Sequence, residues 1–238
     1  MSATGPEAGG LADDRALLGR TSTAQRVADI LRTRIAEGFF TPGTRLSEDG
    51  IAGALGVSRN TLREAFRLLT HERLLVHELN RGVFVRVLAV EDVVDIYRTR
   101  RLVECAVVHG LGRPPYELDG LVRAVAGGER EAREGDWKGV STANIHFHRE
   151  LVALAGSART DELMRGVLAE LRLTFHVVDD PRSLHEPYLA RNREILDALQ
   201  AGERSKAERL LARYLDDSRD QLVRVYARFV DAQTPADA

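Results

Sequence analysis

Residues 47–69, SEDGIAGALGVSRNTLREAFRLL, constrain the fold more than any other stretch of the chain. Two short helical patterns flank Gly56-Val57, and each opens on a serine, Ser47 and Ser58. A serine at that place caps a helix by accepting a hydrogen bond from a first-turn backbone N–H, and a glycine after a short apolar pattern ends one. Ile51 and Leu55 are expected to face inward from the first pattern. Leu62, Ala65, Phe66 and Leu69 form the buried stripe of the second. Helices this short are marginal in isolation, so the pair must pack on something else. Thr23–Glu37 supplies a third helix, with Val27, Ile30, Leu31 and Ile35 at helical spacing and Gly38 as its stop. Pro42-Gly43 turns the chain between them. Two short helices joined through a glycine turn make a helix-turn-helix.

Leu74–Val76 and Val83–Val87 are β-prone runs on either side of HELNRG. They read as a two-stranded hairpin with Asn80, Arg81 and Gly82 at its tip. Residues 21–88 are therefore expected to form a winged helix-turn-helix, after a flexible tail at 1–20. Residues 89–232 carry only helical patterns, six of them. They run near Glu91–Gly110, Tyr116–Arg133, Trp137–Ala155, Thr160–Val178, His185–Ala201 and Ala207–Asp231, and residues 233–238 form a second tail. Gly135, Gly156, Gly202, Pro114-Pro115, Pro181 and Pro187 punctuate them. Such helices bury their apolar faces against one another. The expected fold is mainly α: an N-terminal winged helix-turn-helix with a small β-hairpin wing, then an all-α antiparallel helical bundle.

Composition narrows the function. With 44% hydrophobic residues in 238, the chain can bury a core. One cysteine, Cys105, excludes an intrachain disulfide framework and a cysteine zinc cage. Residues 1–20 lack the apolar segment of a signal peptide, and no apolar run approaches the roughly 20 residues that span a bilayer, so a cytoplasmic protein without a membrane partner is expected. The net charge is only −2, yet residues 21–88 hold ten arginines and no lysine against seven acidic residues. That local excess points to a nucleic-acid module joined to something else.

Once the apolar stripe is buried, Arg59, Arg63 and Arg67 form an exposed ridge at i, i+4 and i+8, with Asn60 and Thr61 at the helix start. A recognition helix presents its N-terminal residues to base edges in the major groove. Arginine pairs there with guanine and asparagine with adenine. Ser58 and Thr61 suit phosphate.

In the bundle, Arg100, Asn144, His148, Asn192 and Tyr214 fall on inward faces, whereas His146 does not. Buried polar groups must be paired, at a cost of about 1–3 kcal/mol each when they are not. Five of them read either as a polar-lined cavity for a small molecule or as separately satisfied core residues. Arg100 suits either a carboxylate effector or Glu104 at i+4. Three functions stay open: a ligand-responsive DNA-binding regulator, a constitutive DNA-binding protein whose bundle only dimerises, and a hydrolase in the helical half. No nucleophile with a base, phosphate loop or inward carboxylate pair speaks for the last, so no enzyme and no catalytic residue are expected.

TPGTRLSEDGIAGALGVSRNTLREAFRLLTHERLL, followed by the glycine-tipped wing, resembles the DNA-binding domain of GntR-family bacterial transcription regulators. The resemblance implies operator contacts by Arg45, Ser58, Arg59, Asn60, Thr61 and Arg63, with Arg81 and Gly82 at the wing. Asp49 stands where some members place a DNA-contacting arginine. YRTRRLVECAVV, NIHFHRELVALAG and NREILDALQAGERSKAERLLARYL resemble the six-helix FCD effector domain of the FadR-type subgroup. Many of its members hold a divalent metal with one Asp and three His. Here those positions fall on Asn144, His148, Asn192 and Tyr214, so only His148 is kept and no tightly held metal or other cofactor is expected. The resemblance implies a homodimeric repressor binding double-stranded operator DNA, with a small-molecule effector held by Arg100, Asn144, His148, Asn192 and Tyr214; a carboxylate is among the options, and the neutral Asn, Tyr and His lining would suit a hydroxylated or amide-bearing molecule.

Overall fold

The computed structural model describes residues 22–178 and 180–233. The expected tails lie outside these, apart from Gln233 at the end of the last helix. Helix α1 (Thr23–Ala36) opens on Ser22, whose side chain accepts from Gln25 N. It buries Ala24, Val27, Ala28, Leu31 and Ile35, while Ile30 is 45% exposed and drops out of the expected stripe. Strand β1 (Arg45–Leu46) leads into α2 (Glu48–Leu55), which is capped by Ser47 and stopped by Gly56 in the left-handed conformation, φ 64°. Helix α3 (Arg59–His71) starts at Ser58, whose side chain accepts from Thr61 N, and buries Leu62, Ala65, Phe66 and Leu69. Ile51 and Leu55 are only half-buried, and Ala52 is the buried residue of α2.

Strands β2 (Leu75–Glu78) and β3 (Gly82–Val85) form the wing. The sheet has three strands, not the two expected, in the order β1-β3-β2 and all antiparallel. Arg45 pairs with Phe84 and Leu46 with Val83, so β3 lies between the other two. Two residues are too few for a periodicity signal, which is why β1 is invisible in the sequence.

Among the described residues six helices follow: α4 (Val90–Gly110), α5 (Asp119–Glu134), α6 (Trp137–Ala153), α7 (Ala158–Phe175), α8 (Pro181–Gln200) and α9 (Arg204–Gln233). Two prolines expected as punctuation lie within α8. Pro181 occupies its first turn, where the missing N–H has no helical partner in any case, and Pro187 lies inside it.

Two cores meet on α7. Met164, Leu168 and Leu171 belong to the bundle core, whereas Leu173 belongs to the winged-helix core. Arg172 Nε donates to Ala36 O at the C-terminal end of α1 (2.6 Å), and its Nη2 donates to Thr142 Oγ1 of α6 (2.8 Å). Arg86, just past the wing, bridges Glu170 of α7 (3.0 Å) and Asp92 of α4 (2.8 Å). Gly38 is a glycine for two reasons: its φ is +78°, and a Cβ there would meet His176 Nδ1 at 2.7 Å. The Tyr226 hydroxyl both accepts from Leu88 N and donates to Leu88 O, which pins the joint between the two parts.

Leu173→Ala is expected to cost about 2–5 kcal/mol as a buried leucine truncation. Because Leu173 is inserted into the winged-helix core, hydrogen exchange should rise first in α1 and α3, with bundle amides still protected.

Candidate functional site

The first candidate site lies on the winged helix. The Ser58 cap fixes where α3 begins, and the buried stripe fixes its rotation. Arg59, Asn60, Arg63 and Arg67 consequently face outward. Ser58 Oγ lies 2.8 Å from Thr61 Oγ1 while also capping Thr61 N, so both hydroxyls hold the helix start together. Arg45 reaches the wing tip, since a side chain at Gly82 would meet Arg45 Nε at 3.3 Å. An open cleft of about 320 Å³ is lined by Arg45, Asp49, Arg59 and Gly82 among others. A second, of about 500 Å³, runs between α3 and the sheet past Arg63, Phe66, Arg67 and His77. Arg81 packs over the Phe84 ring (5.5 Å).

The arginines are not free. Arg59 Nε lies 2.8 Å from Asp49 Oδ1, Arg63 Nε lies 2.9 Å from Glu48 Oε2, and Arg81 pairs with Glu78. Arg59 and Arg63 side chains remain 67% and 61% exposed, which makes these surface pairs worth at most about 1 kcal/mol. They orient the guanidinium groups without locking them away. The acidic partners are what sequence reasoning missed; two of them, Glu48 and Asp49, stand in the first turn of α2.

The second candidate site lies in the bundle. The five inward polar residues do meet, but not around a roomy cavity. Arg100 Nε donates to Glu104 Oε1 (2.8 Å), and Glu104 Oε2 lies 2.7 Å from His148 Nδ1. Asn144 Oδ1 accepts from both Asn192 Nδ2 (2.8 Å) and the Tyr214 hydroxyl (2.9 Å). The His148 and Tyr214 rings, with centroids 5.0 Å apart, join the two halves. The space bordered by Asn144, Asn192, Gly128 and His185 is about 10 Å³, room for one water. The polar-lined cavity, one of the two readings of these residues, is thus closed in this arrangement, because Asn144, Asn192 and Tyr214 hydrogen-bond to one another. Glu104 is the central residue, and its i+4 spacing from Arg100 was the signal for it.

Electrostatics follow from burial. Burial opposes the Glu104 carboxylate, but Arg100 and His148 outweigh it and hold its pKa below the usual value. Burial pushes His148 below the ordinary imidazole value despite Glu104, and pushes the Tyr214 phenol well up. Burial, then Arg172, brings His185 down to about 4. The donor set does not suit a transition metal. Asn144 Oδ1 already accepts two hydrogen bonds, the Tyr214 phenol resists ionisation, and one imidazole nitrogen is left, at His148. Among the described residues no three His, Cys, Asp or Glu side chains gather as metal ligands.

Comparison with known proteins agrees with both halves. A family model described as bacterial regulatory proteins, gntR family, matches residues 23–85, and one described as the FCD domain matches residues 95–217. The chain is 30% identical over 209 residues, 83% of its length and 88% of the relative's, to a "Probable D-xylose utilization operon transcriptional repressor" of Paenarthrobacter nicotinovorans. It is 40% identical over 96 residues, 40% of this chain and 39% of the relative, to a gluconate operon transcriptional repressor of Bacillus licheniformis. A crystal structure described as a transcriptional regulator GntR from Rhodococcus sp. RHA1 superposes with a TM-score of 0.82 at 51% identity, covering 85% of this chain and 98% of the other.

His148 and His185 fold as neutral imidazoles with depressed pKa values, so protons bind the unfolded chain more tightly. The stability present above pH 6.5 should therefore fall as the pH drops toward about 4, by about 3 kcal/mol for His185 alone. Urea midpoints across this range check it, and His185→Gln should flatten the profile.

Proposed function

Because the chain belongs to the GntR family of bacterial regulatory proteins and carries an FCD domain, we propose that it is a homodimeric repressor whose operator affinity is set by a small molecule in the bundle. That it is a DNA-binding transcription regulator follows from the family. The finer reading rests on one observation: the capped N-terminus of α3 presents Arg59, Asn60 and Arg63 outward beside Arg45 and the Arg81-Gly82 wing tip. Helix start and wing lie on one side, as a duplex requires. Ser58 and Thr61 position the helix end for phosphate, leaving Arg59 and Asn60 to read bases. The relatives named as D-xylose and gluconate operon repressors support repression as the sense of control.

One winged helix makes too few base contacts for useful specificity, so a second copy is needed. Leu102 and Leu163 are 69% and 51% exposed and border an apolar groove of about 570 Å³ along α4, with Val103, Ala106, Val107 and Leu154. An exposed apolar patch of this kind suits a two-fold interface. Coupling to DNA runs through α6 and α7. Asn144 and His148 lie on α6, as does Thr142, which holds Arg172 against the end of α1. A ligand that displaces α6 shifts that anchor and with it the winged helix.

A second reading has its own support. The mutual pairing of Asn144, Asn192 and Tyr214 and the small space beside them favour a bundle that only dimerises. A ligand that binds the folded chain must raise its melting temperature, which separates the two readings.

Gel shifts on the upstream region of its own gene test the DNA site. Arg59→Ala with Arg63→Ala should abolish specific binding and lower the salt slope by about one for each phosphate no longer neutralised. Asp49→Ala, which removes the competing carboxylate, should tighten binding. Leu102→Glu with Leu163→Glu should yield monomers in sedimentation, and their operator affinity should collapse.

A further inference from the structure

The bundle contains an imbalance of hydrogen-bonding groups. Among the described residues three buried side-chain atoms in the cluster have no hydrogen-bond partner: Arg100 Nη2, whose guanidinium lies over the Tyr97 ring, His148 Nε2 and Asn192 Oδ1. Their residues are 1%, 0% and 6% exposed. With Nδ1–H of neutral His148 donating to Glu104, Nε2 is left as an acceptor. The unpaired groups are thus one donor and two acceptors, which call for one acceptor and two donors. Buried polar groups are rarely left in this condition.

Charge adds a second constraint. The Arg100 guanidinium is already balanced by Glu104 at 2.8 Å, with both side chains dry. His148 is neutral, and the positions that resemble metal ligands hold two amides and a phenol. The cluster is therefore neutral overall. An incoming carboxylate would bring a second anion beside Glu104 with no cation to balance it, which is costly in a dry interior. A carboxylate group also has no N–H or O–H for His148 Nε2 or Asn192 Oδ1. Hydroxyl groups donate and accept, and they carry no charge.

We propose that this site takes a neutral polyhydroxylated ligand, a sugar or polyol, instead of a carboxylate, with hydroxyls donating to His148 Nε2 and Asn192 Oδ1 and accepting from Arg100 Nη2. The proposal rests on the reading of the bundle as an effector domain. Admission of the ligand requires α5 and α8 to part, because a Cβ at Gly128 would already lie 3.3 Å from Leu189 Cδ2 across the closed space. Ligand binding and helix movement are therefore one event.

The test is thermal unfolding of the full chain with matched neutral and acidic probes: D-xylose, D-glucose and glycerol against D-gluconate and L-lactate. At a hundredfold excess over its dissociation constant, a neutral probe should raise the melting temperature by about 5 °C or more. Glucose should outperform gluconate, its acid counterpart. In Asn192→Leu, which removes one orphan acceptor, the dissociation constant of the sugar should rise about tenfold, the equivalent of one lost hydrogen bond. In Glu104→Gln, which leaves Arg100 unbalanced, lactate should become stabilising where it was inert in the wild type. Preference of the wild type for the acids would overturn the neutral class while leaving the effector domain in place. No stabilisation by either set, with operator binding intact, would overturn the neutral class and the effector reading together.

Discussion

A single carboxylate organises the bundle. Glu104 is fully buried, accepts from Arg100 one turn away on its own helix, and holds His148 across the bundle on α6. A buried guanidinium left alone would be prohibitive, and a buried carboxylate equally so; each is tolerated because the other is there. Breaking such a pair by removing one partner typically costs about 3–5 kcal/mol. The arrangement ties α4 to α6, sets the His148 tautomer, and neutralises the arginine. The charge balance on which the proposed ligand class rests descends from it.

The second organising element is α7, which lies under both parts of the molecule. One side chain of its last turn, Leu173, is buried with the winged helix, and the neighbouring Leu171 with the bundle. Arg172 between them reaches Ala36 O and Thr142 Oγ1 together. Packed interiors resist small continuous deformation, so a shift of α6 is more readily passed on than absorbed. Arg86, Glu170 and Asp92 add a half-buried ionic joint on the wing side. The winged helix is therefore not loosely tethered to its partner, and strain in one is felt in the other.

On the DNA side the constraint is electrostatic. Glu48, Asp49 and Glu78 each engage one arginine of the proposed reading surface. A duplex bound at the proposed site would have to displace these carboxylates. Their displacement would weigh on non-specific and specific attachment alike, so specificity would have to come from contacts to base edges. Asp49, the visible departure from the family pattern, thereby has a local role as the partner of Arg59.

The sequence by itself determined the local architecture. Ser47, Gly56 and Ser58 delimit the two short helices because capping and left-handed backbone are properties of a few adjacent residues. The stripe of Leu62, Ala65, Phe66 and Leu69 fixed which arginines face out, since helical periodicity alone decides it. The six bundle helices and the inward polar set were legible on the same ground. Tertiary structure alone decided how those polar groups are partnered. Strand β1 exists only because β3 is beside it, and Pro187 is accommodated within a helix that its neighbours stabilise. The polar-lined cavity closed because Asn144, Asn192 and Tyr214, distant in the chain, came within hydrogen-bonding reach. Pairing across 48 or 70 residues leaves no trace in local spacing, since it depends on how the helices are packed rather than on where each residue falls along one.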